Sequence, residues 1–60
     1  MANNILRKTA ISWWNKLLYI EQWENIVQCK TLIIGYPDRS PESLTGREIE
    51  SIYKKLNQPP

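Results

Sequence analysis

Neither glycine nor proline occurs before Gly35, so more than half of this 60-residue chain lacks the usual interruptions to helix. Within that stretch Leu6, Ala10, Trp13, Leu17 and Ile20 recur at spacings of four, three, four and three, the apolar face of an amphipathic helix. The stripe continues through Trp23, Val27 and Ile34, with Ile26 beside it. Two arrangements satisfy this pattern: a single helix of roughly thirty residues, or two antiparallel helices broken near Leu18–Ile20. The broken form is preferred. One long helix with one short one strands tryptophans in water unless the protein self-associates. A bend lets Leu6, Trp13 and Leu17 meet Trp23, Val27 and a third helix in one core. Glu21 and Glu24 then lie in the first turns of the second helix, where negative charge complements the dipole. The segment Leu17-Leu18-Tyr19-Ile20 itself supplies no N-cap side chain.

Thr31-Leu32-Ile33-Ile34 before Gly35 reads as the end of that helix, with Gly35 as its left-handed C′ residue. A short strand is the other reading of the same residues, since Thr and Ile favour β structure. A lone strand has no evident partner here. Residues 35–43 form a connection, because Pro37 and Pro41 both deny helix to the residue before them. Ser40-Pro41-Glu42 reads as a single turn capped by Ser40.

The third helix carries the clearest signals. Thr45 followed by Glu48 is a capping box, and Leu44 with Ile49 occupy the positions of a hydrophobic staple. Ile49, Ile52, Tyr53 and Leu56 follow at i, i+3, i+4 and i+7, one apolar stripe. Lys54 and Lys55 stand in the last turns, where positive charge suits the dipole, and Gln58-Pro59-Pro60 ends the run. The expected fold is therefore all-α: one mini-domain of three helices at roughly 4–18, 20–34 and 45–57. Its expected core is Leu6, Trp13, Leu17, Ile20, Trp23, Val27, Ile49, Ile52, Tyr53 and Leu56.

Composition narrows the chemistry. With one cysteine, Cys29, and no histidine, the chain makes no internal disulfide, no Cys/His zinc site and no imidazole acid–base pair. Its two glycines, Gly35 and Gly46, stand apart and form no phosphate-binding loop. Glu48 belongs to a cap, Glu21 and Glu24 to a helix start, and Glu50 to a solvent face, which leaves no carboxylate pair for catalysis. Three short helices also leave no room for a substrate pocket of ~300 Å³ beside a core. No enzyme, cofactor or metal is expected. Cys29 reads as a small half-buried side chain, because nothing near it in sequence activates the thiol.

The net charge of +2 is uneven: Arg7, Lys8 and Lys16 precede the first carboxylate, Glu21. A basic first helix with interfacial aromatics is the type that lies on anionic lipid, although three cations attract a surface only weakly. Arg47, Lys54 and Lys55 on a capped last helix suggest nucleic acid, but Glu48 and Glu50 sit among them. A sequence pI near 8.9 falls short of the strongly basic footprint of nucleic-acid binders. No secretory signal or membrane-length apolar run is visible, and a free cysteine fits a reducing compartment, so a cytoplasmic protein is expected.

Three tryptophans remain. Trp13 and Trp23 belong to the stripe, whereas Trp14 lies about 100° round the helix from Trp13. Trp14 with Leu18, and Tyr36 near them, reads as a second apolar strip of the kind that anchors a partner. Lys16 and Arg47 complete the expected partner-binding set. The function expected is stoichiometric, non-catalytic binding of another protein, as an inhibitor or adaptor. A nucleic-acid-binding mini-domain and a peripheral membrane-surface protein are the alternatives, and self-association accompanies the long-helix reading.

Trp13-Trp14-Asn15 with Leu17, then Glu21-Gln22, then Ser43-Leu44-Thr45-x-x-Glu48-Ile49-Glu50-x-Ile52-Tyr53-Lys54-Lys55, resembles short uncharacterised helical proteins of bacteria and their tailed phages. The resemblance implies a compact helical miniprotein from a small open reading frame, an inhibitor encoded by a phage or mobile element being one concrete version, and carries over no catalytic or binding residue. Such proteins place a capping Ser or Thr before the second helix, where this chain has Leu18 or Tyr19.

Overall fold

The structure is a computed structural model that describes the backbone of residues 2–57 and the side chains of residues 5–57. Three helices follow one another: α1 (Ala2–Lys16), α2 (Tyr19–Gln28) and α3 (Gly46–Leu56). Single 3₁₀ turns at Lys30–Leu32 and Pro41–Ser43 punctuate the connection between α2 and α3, and no strand occurs among the described residues. The fold is an all-α three-helix globule, with the first two helices separate.

The break between α1 and α2 is made by side chains further along. Leu18 is extended (φ −66°, ψ 153°) and offers no capping side chain. Instead the Glu21 carboxylate accepts from the Leu18 N–H at 2.9 Å, which is half of a capping box. The Gln22 amide donates to the Trp14 carbonyl at 2.8 Å, a second bond to an acceptor that already takes the Leu17 N–H at 3.2 Å. Adjacent residues of α2 thus close both sides of the corner.

α3 forms as its sequence dictates. The Thr45 hydroxyl accepts from the Glu48 N–H at 3.2 Å, and Glu48 Oε1 accepts from the Thr45 N–H at 3.0 Å. Lys54 and Lys55 occupy the last turn, and the helix ends at Leu56 with Asn57 as C-cap. The expected stop at Gln58-Pro59-Pro60 lies outside the described residues.

The end of α2 differs from expectation. The helix stops at Gln28, six residues early; the chain tightens through Lys30–Leu32, and Ile33 is extended (φ −111°, ψ 115°). A segment rich in β-branched residues is a poor helix former, and this one shifts to conformations that keep Ile33 buried while the chain turns toward α3. Gly35 does adopt a left-handed conformation (φ 85°), though in a turn of the connection and not as the helix's C′ residue. At Pro41–Ser43 the expected single turn is present. Its cap, however, is the Ser43 hydroxyl, which accepts from the Ser40 N–H at 3.0 Å and donates to the Ser40 carbonyl at 2.7 Å.

α1 and α3 form the principal helix pair. Ala10, Trp14, Ile26, Cys29, Ile33, Ile49 and Ile52 are buried in one core, flanked by Ile11, Trp13, Leu17, Trp23, Tyr36, Leu44 and Tyr53. Trp13 bridges the pair, with its ring centroid 5.8 Å from Trp14 and 5.4 Å from Tyr53. Gly46 lets the start of α3 approach α1: a Cβ there would sit 3.3 Å from Ile11 Cδ1 and 3.4 Å from Arg7 Cδ. The buried face of α1 is consequently centred on Ala10 and Trp14, rotated from the Leu6–Trp13–Leu17 face that the spacing suggests. Leu6, Trp13 and Leu17 are half-buried at its edge.

Four residues expected in the core lie outside it: Leu6 on α1, which is half-buried, Ile20 and Val27 on α2, and Leu56 in the last turn of α3. Glu50, expected on a solvent face, is buried. Arg7 and Lys54 cover its carboxylate at 2.9 and 3.4 Å.

Candidate functional site

Trp14 is the anchor of the partner-binding set expected from sequence, and it is 3% exposed. The α1–α3 pairing needs its bulk inside, so it has no free face to offer. Leu18 is 67% exposed but stands at the α1–α2 corner, outside either helix, and forms no strip with Trp14. Tyr36 packs on the edge of the core. Lys16 ends α1 and Arg47 sits in the first turn of α3, both exposed. The five residues therefore come from four places in the chain and lack the aromatic centre that was to unite them.

The unpartnered surface lies on α2. Two rows run along this helix. Tyr19, Gln22, Ile26 and Cys29 form the inner row, at spacings of three, four and three. Ile26 and Cys29 are buried, Gln22 holds the Trp14 carbonyl, and the Tyr19 hydroxyl donates to Glu42 Oε2 at 3.1 Å. Ile20, Trp23 and Val27 form the outer row at i, i+3 and i+7. Ile20 is 63% and Val27 53% exposed. Trp23 rests one side against Tyr19 in an edge-to-face arrangement, centroids 6.2 Å apart, and lines the outer face with the rest of its ring. With Glu24 and Gln28 these residues border a shallow groove of about 440 Å³. Exposure does not divide the rows cleanly: Tyr19 is 54% exposed, and Trp23 packs against the core as well as lining the groove.

A second hollow, about 340 Å³, lies at the corner among Trp14, Asn15, Tyr19, Gln22, Pro41 and Glu42. It is an open hollow on the surface and not an enclosed cavity. Tyr19 and Gln22 already spend their donors on Glu42 and the Trp14 carbonyl, so two of its polar groups brace the fold.

The strongest polar cluster is structural and was not legible in the sequence. Arg39 donates twice to Glu48, at 2.6 and 3.0 Å, and to the carbonyls of Ile34 and Ser43, each at 2.7 Å. One guanidinium thereby closes the connection and seals the start of α3. Burial works to raise the Glu48 carboxyl, but the hydrogen bonds from Arg39 and the Thr45 backbone outweigh it and hold it below its ordinary value. The Arg7 hydrogen bond lowers Glu50 in the same way, against a smaller effect of burial. Burial pushes the Cys29 thiol up, opposed weakly by Lys55, which keeps it protonated and inert at neutral pH. Among the described residues no three Cys, Asp or Glu side chains are grouped to hold a metal ion. No helix among the described residues is long and apolar enough to cross a membrane.

Comparison with protein-family models, curated proteins and solved structures finds no match for this chain.

Proposed function

We propose that this protein is a small, non-catalytic module that binds another protein stoichiometrically through the outer row of α2. The observation that carries this reading is the apolar outer row of α2: Ile20 and Val27 are 63% and 53% exposed, and Trp23, packed against the core on one side, lines the groove with them. A chain this small has little apolar surface to spare from its core, and a contiguous exposed patch with a tryptophan is the composition of a binding hot spot. An inhibitor or adaptor encoded by a phage or mobile element is the concrete form suggested by size and by the resemblance of its sequence.

Charge speaks against the two alternatives. The outer row of α2 is edged by Glu21 and Glu24, and α2 has no cation, so anionic lipid is repelled where the apolar surface is richest. On α3, Lys54 is committed to Glu50 at 3.4 Å, which reduces the basic face available to phosphates.

Affinity capture from the host of origin, comparing the wild-type protein with Val27→Arg, tests the reading. Val27 is exposed, so the variant keeps its helical circular dichroism. The expected result is a protein retained in fixed stoichiometry by the wild type and lost with Val27→Arg. Retention unchanged by the substitution, or no retained protein at all, overturns it.

A further inference from the structure

We infer that the occupant of the α2 groove is a single amphipathic helix whose apolar stripe is edged on one side by lysine or arginine. This rests on the reading of α2 as the binding face and specifies what that face takes. The apolar centre is Ile20, Trp23 and Val27, and one edge is acidic: Glu24 lines the groove, and Glu21, about one turn before Glu24, lies further round the same side while its Oε1 accepts from the Leu18 N–H. The opposite edge is aromatic, where Trp23 meets Tyr19. A partner helix laid along α2 with leucine-like residues at i, i+3 or i+4, and i+7 matches the centre, and cations on one flank match Glu24 and Glu21.

Size and charge argue against a second copy. Ten residues of helix give a face about 15 Å long and about 10 Å wide, well below the ~800 Å² per partner of a standard interface. Two copies joined antiparallel through α2 place their acidic edges on the same side of the pair, Glu24 facing Glu24. A parallel pair sets those carboxylates against the aromatic edge. In neither orientation does α2 of the second copy supply a cation, because residues 19–28 contain none.

The test uses the full chain and two fluorescein-labelled peptides of about 18 residues, five turns of helix. They share one leucine stripe and differ only in carrying Lys or Glu along one flank. Fluorescence anisotropy is read at about 0.01 M and about 1 M salt, where screening lengths are roughly 30 Å and 3 Å. At low salt the Lys peptide is expected to bind about tenfold more tightly, from two exposed pairs that are attractive in one case and repulsive in the other. The preference collapses at high salt and reverses in the Glu21→Lys/Glu24→Lys protein, while Val27→Arg abolishes binding of both peptides. Equal binding, a preference untouched by the double charge reversal, or binding that survives Val27→Arg overturns the proposal. So does absence of peptide binding. Sedimentation of the protein alone adds the remaining outcome: a dimer dissociated by Val27→Arg makes a second copy the occupant. Host capture, which asks only whether any protein needs Val27, is scored separately, so the cationic helix fails without the binding face failing.

Discussion

α2 and α3 are similar in length and were assembled by opposite means. α3 has a complete capping box, its apolar residues Ile49 and Ile52 inside, and cations in its last turn. α2 has half a capping box, no basic residue in its last turn, and Ile20 and Val27 of its outer row in contact with water, with Trp23 half-buried between them. Local signals and tertiary burial agree for the cap and for Ile49 and Ile52 of α3, though not for Leu56 and Glu50, and they diverge along the apolar stripe of α2. Where they agree, the helix serves the core; where they diverge, apolar surface stays open, and the proposed binding role rests on that surface.

The most severe way to break this contrast is Trp14→Ala, expected to cost about 3–5 kcal/mol as a large buried aromatic is removed. A domain of this size holds only roughly 3–5 kcal/mol in total, so thermal or urea unfolding should show loss of the native state. A cooperative transition near that of the wild type would return Trp14 to the surface. Arg39→Ala comes next, at about 2 kcal/mol, because Glu48 then keeps its burial without its charged donor. A double-mutant cycle with Glu48→Gln measures the coupling, and strict additivity would separate the connection from the α3 cap.

Acid probes the same cluster. The Glu48 and Glu50 carboxyls are lowered on folding, so the unfolded chain binds more protons as pH drops below their ordinary 4.5. Stability is then fully present above that value and is lost as pH falls through the lower folded-state values. Urea midpoints followed across this range should decline, and less steeply in Glu48→Gln.

The caps sharpen the comparison at smaller scale. Thr45→Ala should cost about 1 kcal/mol by removing the acceptor of the Glu48 N–H. Glu21→Ala, which strips the one side-chain acceptor at the start of α2, should cost about 0.5 kcal/mol. Smallest of all, Val27→Ser on the outer row should change stability by no more than about 0.5 kcal/mol. A larger loss in denaturation would mean that Val27 is packed, and the binding face would have to be sought elsewhere.

How much of this could be read in the chain depends on range. The Thr45/Glu48 box, the Leu44–Ile49 pair and the turn at Pro41 were legible because each is settled within four residues. The break before Tyr19 was legible in place but not in cause. A search for a capping residue at Leu18 finds none, whereas Glu21 three residues on was the signal. The candidate site was misplaced. Trp14 was assigned to the surface and Val27 to the interior, since helical spacing groups residues into faces without saying which face another helix will cover. Arg39 was missed because its partners, from Ile34 to Glu48, are gathered only by the folded connection.

Alternation of apolar and polar residues, with caps and turns at fixed short offsets, was enough to determine three helices and most of their ends. Those are one-dimensional properties: each depends on backbone groups a few bonds away. Which side of each helix is dry depends on how closely two helices approach, and here Gly46 against Ile11 and Arg7 seats α3 on the Ala10–Trp14 side of α1. Against that pair α2 turns Ile26 and the adjoining Cys29 inward, with Trp23 at the edge of the core. The exposure of Ile20 and Val27, on which the proposed binding role depends, is therefore a consequence of packing in three dimensions.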